Sequence, residues 1–298
     1  MHVSRALSST RLSVWLISIL AAALTVALGS AKADDSDLRI LSIGSDVTEI
    51  IYALGKGDRI VAVDTTSRHP PEALAQNPDV GYMRALSAEG VLAIGANLLL
   101  VSEGAGPPET IRALKASSAR YVEVPDGKSV AGVAEKIRII GDVLGESDRA
   151  RALTKAFQTE IARLEERRSK LSARKRVLFV LNASGGRLIV GGGDTSADAY
   201  LKLAGATNAA AALTGFKPVT AEGVITMAPD AIIVMQGGRD GQTASELIAT
   251  PAFAATPAGK AKKAIDVNGV RALGFGPRLP GAAADLLSWL YDQKSHGQ

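Results

Sequence analysis

Residues 86–92 (LSAEGVL) recur in nearly the same form as residues 219–225 (VTAEGVI). Each copy starts with a residue suited to cap a helix, Ser87 or Thr220, followed two positions later by Glu89 or Glu222. The two glutamates lie 133 positions apart (222 minus 89), which is about half of the 265 residues from 34 to 298. Two structurally similar lobes are the simplest explanation.

Strand and helix patterns alternate on both sides of these copies. Short, mostly apolar runs predict strands at residues 39–42, 60–63, 98–101, 121–124, 177–180 and 231–234. Helices are predicted at residues 47–54 and 196–203, each closed by a glycine. The alternation predicts an α/β fold of two similar lobes, each a mainly parallel sheet with flanking helices.

One long helix is predicted between the lobes, because residues 147–173 contain no glycine or proline. Leu153, Phe157, Ile161 and Leu164 follow each other at a spacing of three or four, as on one face of a helix. Such a helix is about 40 Å long, enough to connect two lobes, although a surface helix of one domain is the alternative. The predicted lobes are residues 34–146 and 174–298.

Residues 1–33 are predicted to be a cleaved signal peptide. Arg5 and Arg11 flank the start of an apolar stretch at residues 12–28, and Ala31-Lys32-Ala33 supplies small residues for cleavage. A membrane anchor is the alternative, since about 17 apolar residues are at the short limit for a membrane span.

The composition excludes several other classes. The chain has no cysteine, which rules out disulfides, thiolate metal sites and a lipid-modified cysteine. We therefore expect a free protein, a monomer, in the periplasm of a Gram-negative bacterium. Removal of Arg5, Arg11 and Lys32 with the signal peptide lowers the formal charge from +4 to +1 (4 minus 3), so no nucleic-acid partner is expected.

A candidate ligand loop follows the second predicted strand. Residues 64–71 (DTTSRHPP) lead into residues 80–84 (VGYMR) before the Glu89 helix, which places them at the carboxyl end of a parallel strand, where open α/β sheets bind ligands. Pro70 stiffens the backbone at His69. A lone loop histidine is usually a surface residue, and without neighbouring ligands a zinc or manganese site is not expected. Haem needs only one or two protein ligands, and a single His or Tyr is sufficient.

Two sheet lobes, a helical connector and one glutamate per lobe resemble the helical-backbone (class III) periplasmic binding proteins, which serve ABC importers for haem, corrinoids and ferric siderophores. The resemblance covers nearly all of residues 34–298. It implies that Glu89 and Glu222 contact arginines of the two permease subunits, and that the partner is an inner-membrane permease dimer with its ATPase. A first-turn carboxylate that stabilises its own helix is the alternative for either glutamate.

The loop pattern is similar to that of the haem-binding branch, the periplasmic haem (hemin)-binding proteins. Many members have tyrosine where this chain has His69, and the resemblance implies that His69 binds the haem iron. Tyr82 is the substitute candidate, and Met83 is expected to lie against the ring or to fill the core.

Further haem contacts are expected from arginines. Arg68 and Arg84 flank the proposed ligand and suit the two propionates. Residues 274–278 (GFGPR) also resemble a loop of haem-binding members, which implies contacts from Phe275 to the macrocycle and from Arg278 to a propionate. An outer-membrane haem receptor would act upstream.

Three alternatives remain. A corrinoid or ferric siderophore would need no protein ligand and would leave His69 incidental. An α/β enzyme is possible in principle, but neither a Gly-x-Ser-x-Gly nor a His-Glu-x-x-His motif is present. An interaction module would explain the two glutamates and leave the loop unused. A phosphate cradle at residues 191–195 (GGGDT) lacks the spacing of known phosphate-binding motifs.

Overall fold

The computed structural model describes residues 37–184, 187–236 and 241–292. The predicted signal peptide, residues 1–33, lies outside these ranges. Within them, none of the helices combines the length and apolar composition that crossing a membrane requires. Both lobes and the helix between them belong to one compact unit, which begins at Arg39.

The first lobe contains a four-stranded sheet in the order β2-β1-β3-β4, with all neighbours parallel. Its strands are β1 (Ile40–Ile43), β2 (Ile60–Val63), β3 (Leu98–Ser102) and β4 (Arg120–Val124). Its helices are α1 (Ser45–Ala53), α2 (Pro71–Gln76), α3 (Ala88–Ala93), α4 (Pro108–Lys115) and α5 (Val130–Val143), with a short 3₁₀ turn at Gly57–Arg59. Every residue of β1 and β3 is buried, as expected for parallel strands covered on both faces.

Helix α6 (Ser147–Ser169) follows the first lobe and contacts both lobes. It packs closely on α5, where a Cβ atom on Gly141 would lie 2.3 Å from the Cβ of Ala150. Near its other end, Arg167 Nη2 donates to Ser288 Oγ of the second lobe at 2.9 Å. The helix ends four residues before the predicted position 173, because the amides of Lys170 and Leu171 bond carbonyls three residues back and tighten the last turn.

The second lobe contains a sheet in the order β10-β9-β5-β6-β8, with β7 beside β5. Its strands are β5 (Arg176–Ser184), β6 (Arg187–Gly191), β7 (Thr207–Asn208), β8 (Phe216–Val219), β9 (Ala231–Gln236) and β10 (Ala264–Asn268). β6 is antiparallel to β5, since the few residues between them cannot form a parallel crossover, and it is also antiparallel to β8. The other pairs are parallel.

The helices of the second lobe are α7 (Ser196–Leu203), α8 (Ala221–Met227), α9 (Ala244–Ile248), α10 (Pro251–Ala254), α11 (Pro257–Lys260), α12 (Gly269–Leu273) and α13 (Leu279–Tyr291). The predicted fold class is confirmed: two lobes of mainly parallel strands and flanking helices, joined by one long helix.

The two matched segments form helices α3 and α8 with the predicted caps. Ser87 Oγ accepts from Gly90 N at 3.3 Å, and Thr220 Oγ1 accepts from Gly223 N at 3.2 Å. Each side-chain oxygen satisfies an amide that the first helical turn leaves unpaired.

The glycine run at residues 191–195 has no free cradle of amides at its centre. Gly192 N donates to Gly215 O at 3.0 Å, and Gly193 N donates to Leu213 O at 2.6 Å. Thr195 then caps α7. These amides hold a neighbouring loop, which removes the donors that a phosphate would need.

Candidate functional site

Asp64 organises the carboxyl edge of the first sheet. Its carboxylate is fully buried and accepts hydrogen bonds from Gly44 N at 2.9 Å and from Ser67 Oγ at 2.8 Å. Thr66 contributes two more, from its amide at 3.0 Å and its hydroxyl at 2.7 Å. The carboxylate therefore ties the end of β1 to the loop after β2.

A chain of buried hydroxyls extends this network into the sheet. Ser67 Oγ lies 2.7 Å from Thr48 Oγ1, which lies 2.7 Å from Ser42 Oγ, and all three residues are fully buried. A satisfied network of buried polar groups rigidifies the backbone that carries it. This role of residues 64–67 was not predicted from the sequence, although Asp, Thr and Ser directly after a strand are residues that bond to nearby backbone.

The next residues of the loop are more accessible. Arg68 is exposed, with its Nε donating to Thr65 O at 3.3 Å, and His69 is half-buried. The His69–Pro70 peptide is cis, and Pro70 is the N-cap residue of α2. The polar network thus fixes the backbone immediately before the predicted iron ligand.

The second predicted segment runs alongside this loop. Val80 N donates to Val63 O at 2.9 Å, and Thr65 N donates to Gly81 O at 3.1 Å. These bonds bring residues 80–84 next to the start of the His69 loop, as the order of strand and helix suggested.

Tyr82 and Arg84 form a pair on the outside of this segment. Tyr82 is 45% exposed, and Arg84 Nη1 donates to its Oη at 2.7 Å. The guanidinium carbon of Arg84 also lies 5.9 Å from the centroid of the Tyr82 ring. Met83, by contrast, is buried among the apolar residues of the first lobe, and its contact with haem stays a prediction.

Residues 274–278 contact the first lobe. Arg278 donates from Nε to Glu49 Oε2 at 2.8 Å and from its amide to Glu49 Oε1 at 3.0 Å. Phe275 is 2% exposed and has a positive φ of 50°. The Arg278 side chain is therefore paired with a carboxylate of α1, and the Phe275 ring is buried. The contacts of both residues with haem stay predictions.

A buried ion pair lies beside this contact. Lys136 is fully buried, and its Nζ lies 2.5 Å from Asp46 Oδ2 on α1 and 3.5 Å from the carbonyl oxygen of Phe275. Charged residues are rarely buried unless they are paired. This ion pair was not predicted from the sequence, because Lys136 and Asp46 are 90 positions apart.

Glu89 and Glu222 are exposed in the first turns of α3 and α8. Hydrogen bonds from its own backbone amide and from the Thr220 side chain lower the pKa of Glu222. This carboxylate is therefore ionised at neutral pH and available to a cationic partner. Among the residues in the described ranges, no group of three or more His, Asp or Glu side chains is placed to hold a metal ion.

The comparisons with known proteins agree with this architecture. The profile of the periplasmic binding protein family matches residues 40–269. The periplasmic heme-binding protein RhuT from Roseiflexus sp. RS-1, in its apo form, has a similar structure: the TM-score is 0.80 at 35% identity, over 86% of this chain and 98% of that one.

Two further proteins indicate the range of ligands among relatives. A periplasmic heme-binding protein from Pseudomonas aeruginosa gives a TM-score of 0.78 at 32% identity, over 86% of this chain and 94% of that one. The vitamin B12-binding protein of Pectobacterium carotovorum subsp. carotovorum (strain PC1) is 28% identical over 126 residues, which is 42% of this chain and 45% of that protein.

These similarities confirm the predicted resemblance, including the class III solute-binding fold. The family is one of solute-binding proteins and not a class of enzymes. From its sequence profile, its two-lobed fold and its structural neighbours, this chain belongs to the periplasmic binding protein family.

Proposed function

We propose that this protein captures haem in the periplasm, in a cleft between its two lobes, and delivers it to an inner-membrane ABC permease. The observation that carries the proposal is the exposed Tyr82–Arg84 pair beside the rigid loop that ends at His69. Structural neighbours that bind haem support the choice of ligand.

His69 is the first candidate for the iron ligand, with Tyr82 as the substitute. A neutral imidazole binds ferrous and ferric iron, whereas a tyrosinate favours ferric iron. The Arg84 guanidinium donates to the Tyr82 oxygen, so it places positive charge where negative charge would develop if that oxygen bound ferric iron. This contact supports Tyr82 as a ligand more strongly than the sequence alone did.

The proposed propionate contacts differ in their present partners. Arg68 is exposed and its Nε donates to the carbonyl oxygen of Thr65, so its guanidinium can turn to a carboxylate at small cost. Arg278 is paired with Glu49, and a propionate would have to compete with that carboxylate. Of these two arginines, we expect Arg68 to contribute more to haem affinity.

Delivery to the permease is the second part of the proposal. Glu89 and Glu222 would each pair with an arginine of one permease subunit, since an Arg–carboxylate pair is directional. The partner would be the permease dimer with its ATPase. Export by the signal peptide of residues 1–33 would bring the chain to the periplasm of a Gram-negative bacterium, downstream of an outer-membrane haem receptor.

A corrinoid is the second candidate ligand, favoured by the similarity to a vitamin B12-binding protein. Vitamin B12-binding proteins match this chain at 25–28% identity, whereas the haem-binding neighbours match at 32–35% identity over most of both chains. A ferric siderophore is a further possibility within the same role.

The test is a hemin titration of residues 34–298 followed by visible absorbance, with His69→Ala and Tyr82→Phe variants. Tyr121→Phe, on β4, is the control for loss of a phenol oxygen. We expect a saturable Soret shift in the parent. Loss of the iron ligand should change the spectrum and weaken binding about tenfold or more, equivalent to about 1.4 kcal/mol.

The outcomes separate the parts of the proposal. A spectrum that changes only in Tyr82→Phe assigns the iron to Tyr82 and leaves His69 incidental. A saturable shift that is unaltered in both variants keeps haem and refutes both ligands. If the parent shows no saturable shift, haem is refuted, and saturable binding of cyanocobalamin in the same assay would favour a corrinoid.

A further inference from the structure

Exposed large hydrophobic side chains are confined to two places in the part of the chain that the structure describes. They are Tyr82, Leu92, Phe216 and Ile225, with exposed fractions between 37% and 46%. Two lie within residues 82–92 of the first lobe and two within residues 216–225 of the second. Single exposed apolar residues are ordinary on a protein surface. If these four side chains were scattered at random, they would not be expected to fall only in two matching segments.

Helices α3 and α8 present these side chains in the same register. In α3, Val91 is buried in the core of the first lobe, whereas Glu89 and Leu92 are exposed. The same pattern of exposed, buried and exposed positions recurs in α8 at Glu222, Val224 and Ile225. Residues three apart on a helix are neighbours, so each lobe exposes one carboxylate beside one aliphatic side chain.

We propose that Leu92 and Ile225 are the apolar anchors of the two permease-docking surfaces. This inference rests on the docking part of the proposed function and adds the kind of surface that the partner must offer. Each permease subunit would present a basic side chain next to an apolar depression. Because the two surfaces repeat the same pair, the partner should offer that combination twice, as two symmetry-related subunits do.

The aliphatic residues contribute binding affinity that the glutamates alone cannot provide. An exposed ion pair contributes little affinity, because water and salt screen it and two side chains must be ordered. A buried apolar contact beside the ion pair excludes water from the pair. It also contributes affinity that salt does not screen. Two salt bridges alone would therefore give weak docking.

Charge favours a permease over a second copy of this chain as the occupant. Both surfaces carry an exposed glutamate at the same position. Self-association through like surfaces would bring carboxylates towards each other, which opposes contact. A partner with arginine or lysine beside its apolar depression matches both features of each surface.

The test uses the protein purified from the periplasm of an expression host, and the haem ABC importer of the same bacterium in lipid nanodiscs. Biolayer interferometry would give the dissociation constant for the parent, for Leu92→Ala/Ile225→Ala and for Glu89→Gln/Glu222→Gln. Leu153→Ala, a half-buried leucine on α6, is the matched control. We expect the double aliphatic variant to weaken binding about tenfold or more and the control to leave it unchanged.

Salt separates the two contributions. The defect of the glutamate variant should shrink as sodium chloride rises, because the lost ion pairs are then screened in the parent as well. The defect of the aliphatic variant should persist. Circular dichroism and a Leu92→Met/Ile225→Met variant, expected to restore most of the affinity, distinguish a lost contact from a lost fold.

The other outcomes would each contradict a different part of the proposal. Weak binding of the glutamate variant with parental binding of Leu92→Ala/Ile225→Ala overturns the apolar anchors and leaves docking by glutamates intact. Absence of parental binding, or parental affinity in the glutamate variant, overturns the docking proposal and the anchors with it. A parent that dimerises in sedimentation, and a Leu92→Ala/Ile225→Ala variant that does not, would assign the surfaces to a second copy instead.

Discussion

Substitution of Lys136 by methionine should destabilise the protein strongly. Lys136 is fully buried, and Asp46, its partner at 2.5 Å, is only 6% exposed. Methionine fills nearly the same volume as the lysine stem but leaves the Asp46 carboxylate buried without its cation. The Phe275 carbonyl, 3.5 Å from Lys136 Nζ, loses a donor as well.

The expected loss of unfolding free energy is about 3 kcal/mol. Removal of one partner from a buried ion pair costs about 3–5 kcal/mol, because the remaining charge stays buried. Asp46 lies in the first turn of α1, where the helix dipole returns about 0.3–1 kcal/mol to a carboxylate, which favours the lower end. At about 2–4 °C per kcal/mol, the melting temperature should fall by roughly 6–12 °C.

Urea denaturation followed by circular dichroism measures this change. Lys115→Met is the matched control, because the Lys115–Glu123 pair is exposed and should contribute at most about 1 kcal/mol. An Asp46→Leu/Lys136→Met double variant should recover much of the loss, since it leaves no unpaired charge. A loss below about 1 kcal/mol in Lys136→Met would refute this account of the pair.

Two further predictions concern local packing and charge. Gly141→Ala should cost about 1–3 kcal/mol in thermal unfolding, because the added Cβ would lie 2.3 Å from Ala150 Cβ, whereas Gly90→Ala, whose Cβ would find its first neighbour at 3.6 Å, should not destabilise. The pKa of Glu222 is lowered in the fold, so the ionised carboxylate contributes stability at pH values above the ordinary pKa of glutamate. This contribution is lost as the pH falls through the lowered pKa. Carboxyl NMR titration should show that midpoint, Thr220→Ala should move it upward, and an unchanged midpoint in that variant would contradict the assigned cause.

Local patterns in the sequence were sufficient for strands β1–β5 and β9, for helices α1, α6 and α7, and for the capped starts of α3 and α8. The strands, the connecting helix and the caps Ser87 and Thr220 all depend on residues close together in the chain, which is why periodicity and capping rules identify them. The antiparallel strand β6 was not anticipated, since a short connection rather than a strand pattern decides its direction.

Long-range pairing could not be predicted in the same way. Arg278 and Glu49 are 229 positions apart, and no spacing rule connects them. The resemblance of residues 274–278 to a loop of haem-binding members implied the propionate contact of Arg278, which stays a prediction, and the structure adds the pairing with Glu49 on α1. The burial of adjacent loop residues is also difficult to predict from the sequence. Tyr82 is exposed at the surface and Met83 is buried in the core, and only the folded chain shows this difference.

In the loop supported by the Asp64 network, the residues that fix the backbone differ from the residues that face solvent. Residues that determine the backbone are sealed inside, while Arg68 and the Tyr82 side chain stand at the surface. Substitutions at such surface positions leave the buried hydrogen bonds untouched, so they carry little penalty for folding. A scaffold of this kind offers a protein engineer a fixed frame on which exposed residues can be exchanged and recognition of a different ligand can be selected.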